Sequence, residues 1–385
     1  MDPSRITSVA EARRLAARAV PRALFDYVDG AADDELTRAR NEAAFRAVGF
    51  RPRMAAAAGE PRLGIELFGR ALSLPVLLAP CGLVTALHPD GAAGVARAAR
   101  SRRTVAVLSA VAGASPERVA ASLGGGDRPL WYQLYAPGGR AEWEPLIDRA
   151  AAAGYEVLMV TVDTPALGNR ERDRRNGFTG SMRVRPRGAV RLAGQVAARP
   201  GWALRMGRSA LADRRNPDPG GPTVGLVAAG GSPFTWDDIA AMADRWDGPV
   251  VVKGVLGAAD ARCALDAGAG GIVVSNHGGR QLDGAPATLD VLPDVVAEVA
   301  RSVPVLLDSG VRRGSDVVKA MAMGAAAVLV GRPYLYALAV AGTAGVERLL
   351  DVLRADLTRT LTLLGCPGVD DLDLDWLDTG PPAAG

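Results

Sequence analysis

The sequence predicts an α/β protein built as a closed (β/α)8 barrel of the TIM type, with a helical cap before the barrel and one long loop insertion after its fourth strand. Eight short runs rich in Val, Leu and Ile recur from residue 74 onward, and each is followed by an Ala-rich segment of helical pattern. The runs are apolar throughout, as in parallel strands covered on both faces, so the helical segments between them are the crossovers. Eight such units indicate closure into a barrel.

The spacing of the eight predicted strands sets the domain organisation. Their first residues are 22 to 32 positions apart, except for a gap of 92 between the fourth and the fifth. We therefore expect a barrel domain over residues 74–385 and a mostly helical N-terminal cap over residues 1–73. The predicted strands are Leu74–Pro80, Thr104–Ser109, Leu130–Tyr135, Val157–Asp163, Pro249–Val255, Gly271–Asn276, Val303–Gly310 and Ala327–Arg332.

The long gap predicts an excursion over the barrel mouth. Residues 176–232 carry many Arg, Gly and Pro, which is typical of a lid. Within this insertion, Val190–Arg208 places Trp, Leu and Met among arginines, as a basic amphipathic helix does. Such a helix either touches a membrane surface or packs on its own barrel.

The composition is that of a folded protein with a small-molecule ligand. Of the 385 residues, 49% are hydrophobic and 23% are charged, and a net charge of +3 offers no basic field for nucleic acid. Cys81, Cys263 and Cys366 are isolated from one another, which fits a reducing compartment. The N-terminus has no basic start followed by an apolar region, and no apolar stretch reaches the ~20 residues of a membrane span. We predict a cytoplasmic protein, with peripheral membrane association left open.

Unusual residues collect at the carboxyl ends of the predicted strands, where barrel enzymes place their chemistry because only those loops meet at the mouth. Gly310 follows the seventh strand and Gly331 and Arg332 end the eighth, which matches the usual barrel phosphate site; the alternative is that these glycines simply end strands. The sequence therefore favours a phosphorylated ligand, and no metal site is predicted. The other residues at these ends are Pro80, Gly82, Ser109, Gln133, Tyr135, Thr161, Asp163, Lys253, Ser275, His277, Arg280, Asp308 and Arg312.

His277 is the candidate general base. It follows a buried strand directly and precedes two glycines, so its ring should face the mouth with little crowding. Asp163, at the end of the fourth strand, could orient the imidazole and stabilise its protonated form. The alternative is a core histidine that bonds a backbone carbonyl.

Lys253 is one of only two lysines among 45 basic residues, and it ends the strongest apolar run of the chain. A buried ammonium needs a compensating anion. It either forms a Schiff base with a carbonyl substrate or stands as a fixed cation beside a cofactor that becomes negative during turnover. Arg170, Arg280 and Arg312 add positive charge at the same rim, which suggests a carboxylate substrate together with a phosphate.

The segment Ser275–Asp283 (SNHGGRQLD) resembles the signature of the FMN-dependent α-hydroxy acid oxidoreductases, the family of glycolate oxidase, lactate oxidases, mandelate dehydrogenases and flavocytochrome-type lactate dehydrogenases. The resemblance covers about residues 5–375 in order. Further segments that carry it are Phe25–Tyr27, Tyr132–Tyr135, Thr161–Pro165, Gly168–Glu171, Lys253–Gly254, Asp308–Gly314 and Gly331–Pro333.

This resemblance implies FMN as cofactor and a 2-hydroxy acid as substrate. It implies that Arg170, Arg280 and Tyr27 hold the substrate carboxylate, that Tyr135 bonds the substrate hydroxyl, and that His277 and Asp163 act as base and imidazolium partner. Lys253 would stabilise the reduced flavin ring. The implied FMN contacts are the phosphate ligands Gly310, Arg312, Gly331 and Arg332, the ribityl ligand Asp308, and Pro80, Gly82, Ser109, Gln133, Thr161, Lys253 and Ser275 around the ring and chain.

Two departures from the family pattern bear on substrate and acceptor. Gly82 stands where many relatives have Ala, which puts oxygen reactivity in doubt, and Val111 stands where several short-chain oxidases have a bulky aromatic residue. We therefore expect a roomy side-chain pocket, oxidation of an S-configured acid with a medium to large or aromatic side chain, reoxidation by oxygen or an electron-transfer partner, and a homotetramer. The alternatives are a flavin-free lyase or aldolase that uses Lys253, a peptide-modifying flavoenzyme of the same lineage, and a non-catalytic binding barrel.

Overall fold

The computed structural model describes residues 1–56, 59–135, 139–177, 186–215, 218 and 234–379. Within these residues, short strands outside the barrel form two pairs, β1 (Gly49–Phe50) with β12 (Leu377–Asp378), and the hairpin of β2 (Ile65–Leu67) and β3 (Arg70–Leu72). The remaining strands are β4 (Val76–Leu78), β5 (Ala106–Ser109), β6 (Leu130–Leu134), β7 (Val157–Thr161), β8 (Val250–Val255), β9 (Gly271–Val274), β10 (Val305–Leu307) and β11 (Ala327–Val330).

Strands β4 to β11 close into one parallel barrel, which confirms the predicted fold class. Each predicted strand is found, but six of the eight end earlier at the carboxyl side than predicted. The residues that leave the ladder there include Asp163, Asn276 and Asp308. Their polar side chains bond other side chains near the mouth: Asp163 bonds His277, Asn276 bonds Asn41, and Asp308 pairs with Lys253.

Helices surround the barrel. α1 packs along the last helix, which is kinked at Ala341–Gly342. The helices are α1 (Val9–Ala19), α2 (Arg22–Asp29), α3 (Leu36–Ala47), α4 (Val84–Leu87), α5 (Gly91–Ser101), α6 (Pro116–Ala121), α7 (Arg140–Ala152), α8 (Glu171–Arg175), α9 (Pro186–Ala197), α10 (Pro200–Arg215), α11 (Trp236–Arg245), α12 (Ala258–Asp266), α13 (Thr288–Val299), α14 (Gly314–Ala322) and α15 (Arg332–Leu364).

The barrel interior is apolar at its floor. Inward residues such as Leu77, Trp131 and Leu306 form a buried cluster there. The β2–β3 hairpin plugs the open end, because its turn residue Phe68 (φ 50°) packs edge-to-face on Trp131 with ring centroids 5.4 Å apart. Gly271 makes room for this ring, since a Cβ there would lie 2.8 Å from Phe68 Cζ.

The N-terminal segment contacts both ends of the barrel, whereas the predicted cap covers one. Its hairpin closes the floor, while Tyr27 and Val28 of α2 line the mouth. In α3, Asn41 Nδ2 donates to Asn276 Oδ1 at 2.9 Å, beside the candidate base. The division of the chain at residue 73 stays a prediction.

The described part of the predicted 176–232 insertion is mostly helical, in agreement with the helical pattern expected within it. The single amphipathic helix predicted over Val190–Arg208 is two helices, α9 and α10. They separate at Ala198–Arg199 because Pro200 disfavours helical backbone at the residue before it and suits the start of a new helix. The rest of the predicted lid lies outside the described residues. No helix in the described part of the chain is long and apolar enough to cross a bilayer.

Candidate active site

A polar layer lies directly above the apolar floor. Successive inward residues of a strand are two apart, so Val107 is followed by Ser109, Trp131 by Gln133, and Met159 by Thr161. Ser109 Oγ donates to Gln133 Oε1 at 2.7 Å, and Gln133 Nε2 donates to Thr161 Oγ1 at 2.9 Å. These buried groups satisfy one another and form a rigid platform under the mouth.

Lys253 continues this layer on the next strand, where it pairs with Thr161 in the β7–β8 ladder. Its Nζ donates to Ser275 Oγ at 2.7 Å and lies 2.9 Å from Asp308 Oδ2, with side-chain exposures of 4% for Lys253 and 11% for Asp308. Burial alone would lower the pKa of Lys253, but the carboxylates of Asp308 and Asp163 raise it above its usual value. The side chain is therefore a fixed cation, which argues against the free amine that a Schiff-base enzyme needs.

His277 and Asp163 meet as predicted. His277 Nδ1 lies 3.0 Å from Asp163 Oδ1. Because a carboxylate only accepts hydrogen bonds, the proton sits on Nδ1, and Nε2 keeps its lone pair. His277 adopts φ 57° and is followed by Gly278 (φ 65°) and Gly279 (φ 75°). A Cβ at Gly279 would lie 2.6 Å from the backbone nitrogen of Arg38, so this tight turn requires glycine.

Burial lowers the pKa of His277 below its usual value. The Asp163 charge opposes this effect, while Lys253 and Arg170 add to it. Burial would raise the pKa of Asp163, but His277 and then Lys253 bring it below its usual value. The pair is thus a neutral imidazole beside a carboxylate, which is the state that a general base requires.

Arg170 and Arg280 bring positive charge to the same wall. Arg170 is partly buried, and its Nε is buried with no hydrogen-bond partner among the described residues; burial and then the charge of Arg280 lower its pKa. Arg280 Nη1 donates to the carbonyls of Tyr27 (2.6 Å) and Gly30 (3.2 Å), and its guanidinium lies 4.9 Å from the centre of the Tyr27 ring. Burial raises the pKa of Tyr135, so its hydroxyl stays protonated near His277. These groups form a site for an organic anion.

A cavity of about 460 Å³ joins these residues, within the usual size range of ligand sites. Asp163 lies behind His277, and four predicted flavin contacts, Ser109, Gln133, Thr161 and Ser275, lie in the layer beneath the cavity rather than on its wall. The predicted residues on its wall are Tyr27, Pro80, Gly82, Val111, Tyr135, Arg170, Lys253, His277, Arg280, Asp308, Gly310, Arg312, Gly331 and Arg332.

The far end of this cavity fits a phosphate. Gly331 is the N-cap of α15, so backbone N–H groups and the helix dipole point into the cavity beside Gly310. Arg312 also lines this end, with Nη2 3.3 Å from Glu42 Oε1. The Arg332 guanidinium instead donates to the carbonyls of Val28, Gly30 and Gly278 at 2.6 to 3.0 Å, and burial lowers its pKa to about 9.

Several residues of the wall escape the sequence analysis. Cys81 and Leu167 add apolar surface, and Asp173 and Arg174 of α8 add charge. The helical spacing of Arg170, Asp173 and Arg174 is a signal that could have placed the last two beside the cavity. The apolar residues offer no comparable signal, because apolar side chains occur at every strand end.

A closed barrel with a neutral His–Asp pair, a buried cation and a phosphate-binding helix end defines a nucleotide-cofactor barrel enzyme. The chain matches the family of FMN-dependent dehydrogenases over residues 16–379. It is 40% identical over 370 residues to an L-lactate oxidase of Nostoc sp., covering 95% of this chain and 96% of the relative. It is 39% identical over 392 residues to an L-lactate dehydrogenase of Chromohalobacter salexigens, covering 98% and 97%.

The fold has a close match among solved structures. The crystal structure of the monotopic membrane protein (S)-mandelate dehydrogenase superimposes with a TM-score of 0.85 at 35% identity, covering 97% of this chain and 99% of that one. The chain belongs to the FMN-dependent dehydrogenase family, and it is an FMN-dependent oxidoreductase that acts on 2-hydroxy acids.

The buried Lys253–Asp308 pair predicts a large stability effect. Lys253→Met leaves the Asp308 carboxylate buried without its counter-charge, so we expect a loss of about 3–5 kcal/mol in the free energy of unfolding. Lys253→Met combined with Asp308→Asn should recover most of it. The measurement is urea unfolding of the flavin-free protein.

Arg245→Met is the matched control, because its ion pair with Asp148 is solvent-exposed (36% and 55%) and should contribute no more than about 1 kcal/mol. Equal small losses for Lys253→Met and Arg245→Met would contradict the interpretation of Lys253 as a buried, paired cation.

Proposed function

We propose that the protein oxidises an (S)-2-hydroxy acid with a medium to large or aromatic side chain to the 2-oxo acid. The observation that carries this proposal is the neutral imidazole of His277, whose Nδ1 bonds Asp163, on the same cavity wall as Arg170 and Arg280. FMN, when bound, supplies the acceptor for the hydride equivalent that leaves the α-carbon.

In this proposal, Arg170, Arg280 and the Tyr27 hydroxyl bind the substrate carboxylate. Arginine is suited to this role because its planar fork pairs with both carboxylate oxygens. Tyr135, held protonated by burial, donates a hydrogen bond at the substrate hydroxyl. The carboxylate contacts then place the α-carbon between His277 and the flavin site.

His277 Nε2 takes up the proton, and Asp163 stabilises the imidazolium that results. Lys253 would provide a fixed positive charge beside bound FMN, which would stabilise the negative charge that the cofactor gains on reduction. Gly310, Arg312, Gly331 and the backbone of Arg332, whose guanidinium bonds three carbonyls instead, would hold the FMN phosphate, and Asp308 would hold ribityl hydroxyls. Pro80 and Gly82, with the layer of Ser109, Gln133, Thr161 and Ser275 beneath, support the ring.

The substrate side chain occupies the space beside Gly82 and Val111. A Cβ at Gly82 would lie 3.0 Å from the Tyr27 hydroxyl and 3.2 Å from Val111 Cγ2, so these three residues share one corner of the cavity. Glycine at position 82 permits this close approach, and the small Val111 leaves the adjoining part of the cavity to the substrate. Relatives named for lactate and for mandelate both occur, which is consistent with a pocket whose size differs between members.

The electron acceptor in this proposal is oxygen or an electron-transfer partner, since relatives named oxidase and dehydrogenase match about equally well. We also propose a cytoplasmic homotetramer, supported by the resemblance to the family.

Two alternatives find less support. The raised pKa of Lys253 disfavours a Schiff-base lyase. A peptide-modifying enzyme would not need Arg170 and Arg280, which both face the cavity.

Anaerobic mixing of the FMN-loaded protein with a series of 2-hydroxy acids tests the proposed function. Flavin absorbance should bleach, and kcat/KM should rise from glycolate through lactate to mandelate, because each buried apolar Å² contributes about 25 cal/mol. Val111→Trp should reverse the mandelate-to-glycolate ratio. A wild type that prefers glycolate, or a ratio unchanged in Val111→Trp, would contradict the open pocket, and absence of bleaching with every acid would contradict the function.

His277→Asn should slow flavin reduction by ~10²-fold or more while FMN stays bound, because it removes the base but tolerates the left-handed backbone. His88→Asn, at the only other histidine, should stay near the wild-type rate. As the pH falls, wild-type kcat/KM should decline with an apparent pKa below the usual imidazole value of 6.5, since burial lowers the pKa of His277. Asp163→Asn removes the charge that raises the pKa of His277, so it should move this apparent pKa lower still. A near wild-type reduction rate in His277→Asn would refute the base assignment.

We also propose that α10 contacts a membrane surface. Leu204 (66% exposed) and Leu211 (60% exposed) lie on one helix face with the exposed Arg208, and a matched structure is titled a monotopic membrane protein. The protein should co-sediment with anionic lipid vesicles, and Leu204→Glu with Leu211→Glu should release it. Leu363→Glu, at an equally exposed leucine of α15 (70%), is the control and should leave sedimentation unchanged. A wild type that stays in the supernatant would exclude this contact.

A further inference from the structure

Arg170 is a cavity residue whose side chain has little to hold it. Its Nε is buried without a hydrogen-bond partner among the described residues. The residue is the N-cap of α8, and its backbone N–H donates to the carbonyl of Gly168 at 2.9 Å. The position of its guanidinium therefore depends on where helix α8 lies.

Helix α8 and its ends present two faces. Arg170, Asp173 and Arg174 line the cavity. Arg172 and Asn176, on the other face, contact the N-terminal segment, and so does Asn169, which also lines the cavity; the three residues are three and four positions apart. We call these three residues and their N-terminal partners the clasp.

The clasp consists of direct polar contacts. Arg172 donates to Asp29 Oδ2 at 2.9 Å and to Glu35 Oε2 at 2.6 Å. Asn169 Nδ2 donates to Asp33 Oδ1 at 2.7 Å, while the Asp33 N–H donates back to the Asn169 carbonyl at 3.0 Å. At the other end of the helix, Asn176 Nδ2 donates to Asp26 Oδ2 at 2.9 Å. Of Asn169, Arg172 and Asn176, Arg172 is the central residue and the one that carries charge.

Asp29 anchors the clasp in the interior. Its side chain is fully buried and accepts hydrogen bonds from Arg13 (2.5 and 2.8 Å) and from the Tyr336 hydroxyl (2.8 Å), besides Arg172. Burial would raise the pKa of Asp29, but Arg13, Arg38 and Tyr336 hold it well below its usual value. Arg172 thus binds a buried carboxylate that Arg13 and Tyr336 also hold. Gly30 makes room for the Arg172 side chain, since a Cβ at position 30 would lie 3.3 Å from Arg172 Cδ.

The same N-terminal residues also hold the second arginine of the site. Arg280 donates to the carbonyls of Tyr27 and Gly30, at the end of α2. Residues 27–30 therefore set the positions of both arginines. They hold Arg170 indirectly, through Arg172 and helix α8, and they hold Arg280 directly, through these carbonyls. The distance between two guanidinium groups that grip one carboxylate depends on this short segment.

We propose that Arg172 is a positioning residue for carboxylate recognition, which through its contacts with Asp29 and Glu35 sets the spacing of Arg170 and Arg280. This inference rests on the proposed function, because it takes the carboxylate of the 2-hydroxy acid as the ligand of those arginines. It adds a residue that touches neither substrate nor flavin.

Arg172→Gln tests the inference in the FMN-loaded enzyme. Binding of the 2-oxo acid product is followed by the change in flavin absorbance, and the kinetics give KM and kcat separately. We expect about tenfold weaker carboxylate binding and a matching rise in KM, because small misplacements of gripping groups cost up to about 10²-fold. The kcat should stay within about threefold, and the affinity for the uncharged carboxamide analogue should not change. Arg172→Lys should recover part of the loss, since an ammonium contacts one carboxylate where the guanidinium contacts two.

Arg175→Gln is the matched control, because Arg175 lies on the same helix with an exposed partner, Glu171 (69% and 50% exposed). It should bind the product like the wild type. Unchanged carboxylate affinity in Arg172→Gln, or an equal loss for carboxylate and carboxamide, would overturn the inference.

If Arg172→Gln does not fold, Glu35→Gln takes its place, because it weakens one clasp contact without removing Arg172. The same criteria apply, and we expect a loss of about threefold in carboxylate affinity. A wild type whose flavin no 2-hydroxy acid reduces would contradict the proposed function, whereas a reactive wild type with unaffected variants contradicts only the clasp.

Discussion

Every second residue of a barrel strand faces the same closed interior, and the structure of this protein depends on that constraint. The lower inward positions are apolar and Phe68 seals them from below, so water is excluded there. The uppermost inward positions are polar and must find partners inside the protein, because a buried unpaired polar group is costly. Lys253 therefore bonds Asp308, and Gln133 bonds two hydroxyls. The active site begins where the apolar sequence of each strand stops.

The charges at the mouth serve two purposes. Arg170, Arg280 and Lys253 place more positive than negative charge around the cavity, and burying such an excess is unfavourable until an anion binds. In the proposed function, the FMN phosphate and the substrate carboxylate are these anions. Burial, and then the charges of Lys253 and Arg170, disfavour a charged imidazole, which keeps His277 neutral and able to accept a proton. Asp163 is the one group in direct contact with that ring whose charge favours the protonated form.

The N-terminal segment belongs to the site more than its position in the chain suggests. The carbonyl of Gly30, at the end of α2, accepts hydrogen bonds from Arg280 and from Arg332, which lie 250 and 302 residues further along the chain. The side chains of these arginines thus connect the barrel mouth to the N-terminal segment. The helices α9 and α10 continue this contact, because Gln195 accepts a hydrogen bond from the backbone N–H of Ala23 at 2.8 Å. Backbone carbonyls have no sequence signature, so these contacts could not be read from residue types.

The sequence by itself determined the barrel, because eight apolar runs at regular spacing have few other ways to bury both faces of a parallel sheet. It also determined the His277–Asp163 pair and the paired Lys253, since residues at strand ends must meet at one rim. Only the tertiary structure decided that the Arg332 guanidinium bonds the carbonyls of Val28, Gly30 and Gly278, and that Arg172 binds Asp29. Those outcomes depend on which side chains approach across more than a hundred residues of chain, and periodicity along one strand or helix carries no information about such distances.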